Sequence, residues 1–189
     1  MEDQFSESFK GHFLMAMPGL NDPNFSQTVT CICEHSPAGA VGLIVNRIHS
    51  HLHTRNIFEE LKVEFSPGAE TIPIQMGGPV HIEELFVLHG PPFEWQGCLM
   101  VTEALALSNT RDILEAIALQ KGPASFIITL GCAGWGPGQL ETEVKANAWL
   151  TTPAVEPIIF DVPHEMKWAE AIKKMGIDPV FLSNTAGHA

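Results

Sequence analysis

The stretch Phe126-Ile127-Ile128-Thr129-Leu130-Gly131-Cys132-Ala133-Gly134-Trp135-Gly136-Pro137-Gly138-Gln139 decides the fold class. Its first five residues are apolar or β-branched and carry no charge, which predicts a strand buried on both faces. Four glycines follow and make a turn. Pro137 suits the first position of a helix, and Leu140, Val144 and Ala148 then recur every four residues as one apolar stripe. A buried strand feeding a helix through a tight turn supports a mixed α and β domain.

Working outward, the same signals repeat. Short apolar runs predict strands over 13–16, 28–33, 41–45, 72–76, 85–88, 99–102 and 158–161. The best-marked helix follows Asn109, with Asp112 in its first turn, a stripe of Ile113, Leu114, Ile117 and Ala118, and Gly122-Pro123 as its stop. Another follows Pro163, with Trp168, Ile172 and Met175 inward and Gly176 at its end, and a short one covers 56–61. Residues 66–71 and 90–97 read as loops. No stretch is long enough for an interdomain linker, so the 189 residues are expected to form one domain, 1–189. A chain of this size buries about 70% of its unfolded surface, enough to need no disulfide or metal staple.

The 10 basic and 22 acidic residues leave a net charge of −12, which repels a phosphate backbone. Arg47, Arg55 and Arg111 are scattered and Lys173-Lys174 stands alone, so no basic surface opposes that repulsion. Direct nucleic-acid binding is not expected. Met1-Glu2-Asp3-Gln4 lacks the cationic and apolar segments of a signal peptide, and no 18-residue apolar run occurs. The expectation is a cytoplasmic protein without a membrane span. Cys31, Cys33, Cys98 and Cys132 are too sparse for a disulfide scaffold and are expected to be free.

Two segments can carry chemistry. In Cys31-Ile32-Cys33-Glu34-His35 the odd positions share one face of a strand, so two thiols and an imidazole can point together. No second ligand pair with finger-like spacing follows, so no metal is expected and buried thiols are the plainer reading. Glu34 points the other way, toward solvent or Arg47. The glycine turn, with Gly134, Trp135, Gly136 and Gln139, can present backbone N–H groups to an anion, yet it lacks the Lys-Ser/Thr ending of a phosphate loop. Glu141 and Glu143 already oppose a polyanion there. Otherwise its glycines serve close packing around Trp135, which should then be buried.

Because Cys33, Glu34 and His35 end one apolar run, Asn46 and Arg47 the next, and Gly134, Trp135, Gly136 and Gln139 follow a third, all nine residues are candidates for one ligand site. Arg47 would supply its charge, for a small anion or a protein partner, with its removal leaving stability almost unchanged. Pairing of Arg47 with Glu34 is an equal alternative. His49, His51 and His53 read as a solvated cluster, and His89 and His188 are isolated. No nucleophile elbow, zinc-protease helix or close carboxylate pair appears, and no cofactor is expected. A non-enzymatic binding or regulatory module is favoured. The alternative is a small hydrolase or transferase using Cys33, Glu34 or His35 with Arg47, which would need a thiol of lowered pKa.

Several strings together resemble the YqgE/AlgH family. They are Gly11-His12-Phe13-Leu14-Met15-Ala16-Met17-Pro18-Gly19, Asp22-Pro23-Asn24-Phe25, Ile32-Cys33-Glu34-His35, Gly42-Leu43-Ile44-Val45-Asn46-Arg47, Gly77-Gly78-Pro79-Val80, Phe86-Val87-Leu88-His89 and Ala133-Gly134-Trp135-Gly136-Pro137-Gly138-Gln139-Leu140-Glu141, with Gly187-His188-Ala189 at the end. Ile48, Cys132 and the His49-His51-His53 cluster depart from the family pattern. The resemblance implies an α+β fold, a single domain whose branched mixed sheet curls into a partial barrel with helices packed outside. One branch of the family carries a transcriptional-regulator label. The family supplies no catalytic residues to carry over.

Overall fold

Apolar runs become strands here because each can bury its side chains against a helix layer. The computed structural model describes residues 8–20 and 22–182; Met1 to Gln4 and the Gly187-His188-Ala189 ending lie outside them. Its strands are β1 His12–Ala16, β2 Val29–Ser36, β3 Gly39–Ile44, β4 Ile48–His53, β5 Pro73–Met76, β6 Val80–His89, β7 Leu99–Met100, β8 Ala106–Ser108, β9 Phe126–Trp135 and β10 Trp149–Pro153. Its helices are α1 Thr54–Leu61, α2 Arg111–Ala118, α3 Gln139–Lys145, α4 Glu156–Phe160 and α5 Lys167–Lys174.

The ten strands join in the order β10-β1-β2-β3-β9-β6-β8-β7, and β5 branches from β9 with β4 beyond it. Every pairing is antiparallel except β5 with β9, so the sheet is mixed as well as branched, and it curls into a half-barrel. This is the single-domain α+β architecture expected.

The branch has a local cause. Strand β9 pairs with β5 through Ile128 to Leu130 and with β3 through Ala133 to Trp135, while β6 runs along its other edge. The chain leaving β5 must therefore cross β9 before starting β6. It crosses at Gly77-Gly78, against Gly131 and Cys132. A Cβ on Gly77 would lie 2.1 Å from the Gly131 carbonyl oxygen, and one on Gly78 2.3 Å from the Cys132 carbonyl. Gly78 also has φ +151° and Gly131 φ +75°. Only glycine meets both conditions.

Helices cover the sheet as their stripes require. Ile57 and Phe58 of α1 and Ile113, Leu114 and Ile117 of α2 pack on Ile74, Val87 and Ile128. Each such side chain, once buried, contributes about 1.5–3 kcal/mol. Ile158 and Ile159 of α4 and Ala171 and Ile172 of α5 belong to the cluster of Phe13, Cys31, Leu43 and Leu88. Leu140 of α3 closes a third cluster with Leu14, Ile32, Trp135 and Trp149.

Some expectations need correction. Residues 158–161 are largely helix α4, because Glu156-Pro157 opens a helical turn and a four-residue apolar run has no period of its own. Strands β4, β8 and β10 were not anticipated, and His49, His51 and His53 sit on β4. Gly131 to Trp135 continue β9, so the turn shrinks to Gly136-Pro137-Gly138 and α3 starts at Gln139. Thr110, not Asn109, precedes α2 and bonds both Asp112 and the Gln96 carbonyl.

Candidate functional site

Strands β2 and β3 form an antiparallel hairpin, with Thr30 opposite Ile44 and Ser36 opposite Gly39. Their carboxyl ends therefore lie at opposite ends of the hairpin. Glu34, Val41 and Gly134 make one row across β2, β3 and β9, and His35, Ala40 and Trp135 make the next. The structure thus brings Cys33, Glu34 and His35 near Gly134, Trp135, Gly136 and Gln139, and leaves Asn46 and Arg47 at the far end. The nine candidates form two groups.

The first group is bonded to itself and to its neighbours. Cys33 has no exposed surface, and its Sγ donates to the Cys31 carbonyl at 3.5 Å. Interaction with Cys31, together with burial, pushes the Cys33 thiol well above its ordinary pKa. This is the opposite of an activated nucleophile. Glu34 pairs with Lys10 at 3.1 Å, not with Arg47. His35 accepts the Phe9 N–H at Nδ1, 3.0 Å, and meets Glu141 through Nε2 at 3.1 Å, so both ring nitrogens are engaged. All four cysteines are free, and the described residues hold no group of three His, Cys, Asp or Glu placed for a metal.

Trp135 is buried as expected, at 6% exposure, but not through Gly134 or Gly136. A Cβ on either would meet its nearest neighbour at 3.7 or 3.8 Å, an ordinary contact. The tight approach is at Gly39, where a Cβ would lie 2.2 Å from the Trp135 carbonyl oxygen. Glu143 holds the group together. Its Oε2 accepts the indole N–H of Trp135 and of Trp149, each at 2.9 Å, and its Oε1 accepts from Gln139 Nε2 at 2.8 Å. Gln139 Oε1 in turn accepts the Gly136 N–H at 2.9 Å. In the sequence Glu143 shows only as a negative charge near a helix start, because the fold alone brings both indoles to it.

The second group is open. Asn46 ties the start of β2 to β3's end, accepting the Val29 N–H at 2.8 Å and donating to the Gln27 carbonyl at 2.9 Å. The Arg47 guanidinium donates to the carbonyls of Pro23 (3.1 Å from both terminal nitrogens), Asn24 (2.7 Å) and Ser26 (2.9 Å). No carboxylate among the described residues pairs with it. Beside Arg47 lies a groove of about 160 Å³ lined by Asn24, Ile44, Met76, Gly78, Pro79 and Ile82. Met76 (47% exposed), Val80 (39%) and Ile82 (62%) leave large apolar side chains in solvent around the crossing. No chemistry-bearing side chain in the sequence marks these three residues as a site, although the Gly77-Gly78-Pro79-Val80 string lies among them.

His89 is not isolated in space. Its Nδ1 lies 2.7 Å from the Gly90 carbonyl and so carries the proton, leaving Nε2 to accept from Ser108 Oγ at 2.9 Å. Both residues are buried, and burial lowers the His89 pKa. No helix among the described residues is long and apolar enough to cross a membrane.

Fold and site together define an α+β domain with an internally bonded end and an open apolar groove beside Arg47. The chain belongs to the AlgH-like family, whose model matches residues 13–180. It is 53% identical to a UPF0301 protein of Desulforapulum autotrophicum over 189 residues, the whole of both chains. A UPF0301 protein of Thioalkalivibrio sulfidiphilus is 44% identical over 184 residues, 97% of this chain and 98% of that one. The solution structure of the AlgH protein from Pseudomonas aeruginosa, 43% identical, superposes with a TM-score of 0.80 over 100% of both chains. A Corynebacterium diphtheriae crystal structure, at 20% identity, has a TM-score of 0.75 over 97% of this chain and 95% of that one, a likeness of fold alone.

Proposed function

We propose that this chain is a cytoplasmic protein-binding module that docks a partner through the groove beside Arg47. The carrying observation is the exposure of Met76, Val80 and Ile82 around an apolar groove. Exposed apolar side chains gathered in one place mark interaction surfaces. Size chooses the occupant. Pockets for drug-sized ligands and cofactors hold about 300–1,000 Å³. A groove of about 160 Å³ suits one large side chain of another protein. Free cysteines and an acidic chain agree with a cytoplasmic setting. Any regulatory role would pass through the partner, since a net charge of −12 opposes direct contact with DNA. A thiol enzyme is disfavoured by the sealed, unactivated Cys33.

The test compares the parent with Ile82→Asp and Met76→Asp, two solvent-facing changes expected to leave the melting temperature within about 1–2 °C, as surface substitutions usually do. A partner captured by the parent is purified and titrated against all three proteins. Affinity should fall at least about tenfold in both variants, the loss of one well-packed apolar contact. A partner that binds all three equally overturns the groove as the docking surface.

A further inference from the structure

We infer that the groove receives the C-terminal residue of a partner chain, with its apolar side chain between Met76, Pro79 and Ile82 and its α-carboxylate on Arg47. This rests on the groove being the docking surface and adds the chemistry of what docks. Arg47 has five N–H donors, and the carbonyls of Pro23, Asn24 and Ser26 take four of them. Those acceptors are neutral. The guanidinium keeps its full charge, half-buried, in a chain of net charge −12, without a carboxylate partner among the described residues. No carboxylate lines the groove either. The groove is therefore apolar and cationic, and the complementary ligand is apolar and anionic.

Geometry narrows that ligand further. Arg47 and the apolar walls border one space of about 160 Å³, so the ligand's carboxylate and apolar group must lie close together. In an extended peptide an acidic side chain next to the anchor projects to the opposite face, and one two residues away stands about 7 Å along the strand. The α-carboxylate of a terminal residue shares its Cα with the side chain. Among the carboxylates of a peptide, it alone meets both features from within the groove, the mode by which proteins capture chain termini. A long alkyl carboxylate offers the same charge but more tail than the space holds.

The test is a titration of the ¹⁵N-labelled full chain, followed by amide shifts, with three probes: acetyl-Ser-Gly-Ser-Gly-Leu as the free acid, the same peptide as its C-terminal amide, and decanoate. The acid should shift the amides of Ile44, Arg47, Met76, Gly78 and Ile82. The amide form should bind about tenfold more weakly, the effect of losing one charge-assisted contact. Replacing Arg47 would also disturb the loop it holds, so charge is tested at the exposed Ile82 instead. Ile82→Glu, which sets a competing carboxylate at the rim, should weaken the acid peptide about tenfold more than Ile82→Gln. Equal binding of acid and amide in the groove would overturn the terminus proposal and leave the groove as a docking surface. Decanoate shifting the groove more than the acid peptide would replace a chain terminus by an amphiphile. Groove amides that no probe moves would sink the groove itself.

Discussion

Arg47 and Glu143 are single side chains on which loops and aromatic rings depend. Arg47→Ala would leave the carbonyls of Pro23, Asn24 and Ser26 to water and release the loop they belong to. Loss of charge-assisted bonds at a half-buried site should cost about 1–3 kcal/mol, with faster amide exchange at Asn24, Phe25 and Ser26. An unchanged melting temperature, expected if Arg47 served only a ligand, would refute the clamp. Glu143→Ala removes the shared acceptor of Trp135 and Trp149. About 2 kcal/mol of destabilisation and an altered tryptophan fluorescence spectrum should follow. If fluorescence and stability both match the parent, the two indoles have other partners. The sequence marked Trp135 and Arg47 but could not supply their partners, because Glu143 reaches Trp135 only through the path of α3 and Arg47 reaches residues 23–26 only through the β2–β3 hairpin. Cys33 and His35 were legible as neighbours on one strand. Burial turned one into core, and contacts with Phe9 and Glu141 engaged the other.

At the scale of elements, the crossing of β9 is where backbone geometry limits the sequence most. Gly78→Ala should destabilise by several times as much as Gly134→Ala, since one Cβ would strike the Cys132 carbonyl at 2.3 Å and the other has open contact at 3.7 Å. Paired thermal melts measure this, and equal melting temperatures would mean that the crossing tolerates a side chain. Gly78 also has a positive φ, which adds strain for any residue with a Cβ. The elements that the sequence displayed were those buried over their whole length or along one stripe. Strands β1, β2 and β3, the first half of β9 and helix α2 all carry such a pattern. Strand β4, Ile48-His49-Ser50-His51-Leu52-His53, did not, because it is a partly exposed edge that, among the described residues, pairs with β5 alone. Strand β10 was hidden by its threonines, and α4 by its brevity. The expected convergence of nine residues failed for a topological reason. Apolar runs give strand positions without strand directions, and an antiparallel hairpin separates what a parallel pair would have brought together.

At the scale of the whole molecule, an acidic chain buries one ammonium among its described residues, and that choice should be visible in its stability. Lys167 is 3% exposed, and its Nζ donates to the Val45 carbonyl at 2.9 Å and the Ile159 carbonyl at 2.6 Å, tying α5 to α4 and to the end of β3. It has no carboxylate partner among the described residues, and burial lowers its pKa from 10.5 to about 8. Between those values the unfolded chain holds a proton that the folded chain has released, so stability should rise with pH from about 8 to 10.5. Below about pH 8 both states are protonated, and the folded state carries the full cost of a buried charge, about 3 kcal/mol. Lys167→Met keeps the side chain's bulk and removes the titration. The two lost hydrogen bonds shift its stability by a constant amount, whereas only the lysine makes the difference between parent and variant depend on pH. Urea unfolding of both proteins from pH 7 to 10.5 should show the parent gaining about 3 kcal/mol relative to the variant across that range. Parallel curves would mean that Lys167 stays charged in the folded protein, held by its two carbonyls at no cost to the ammonium.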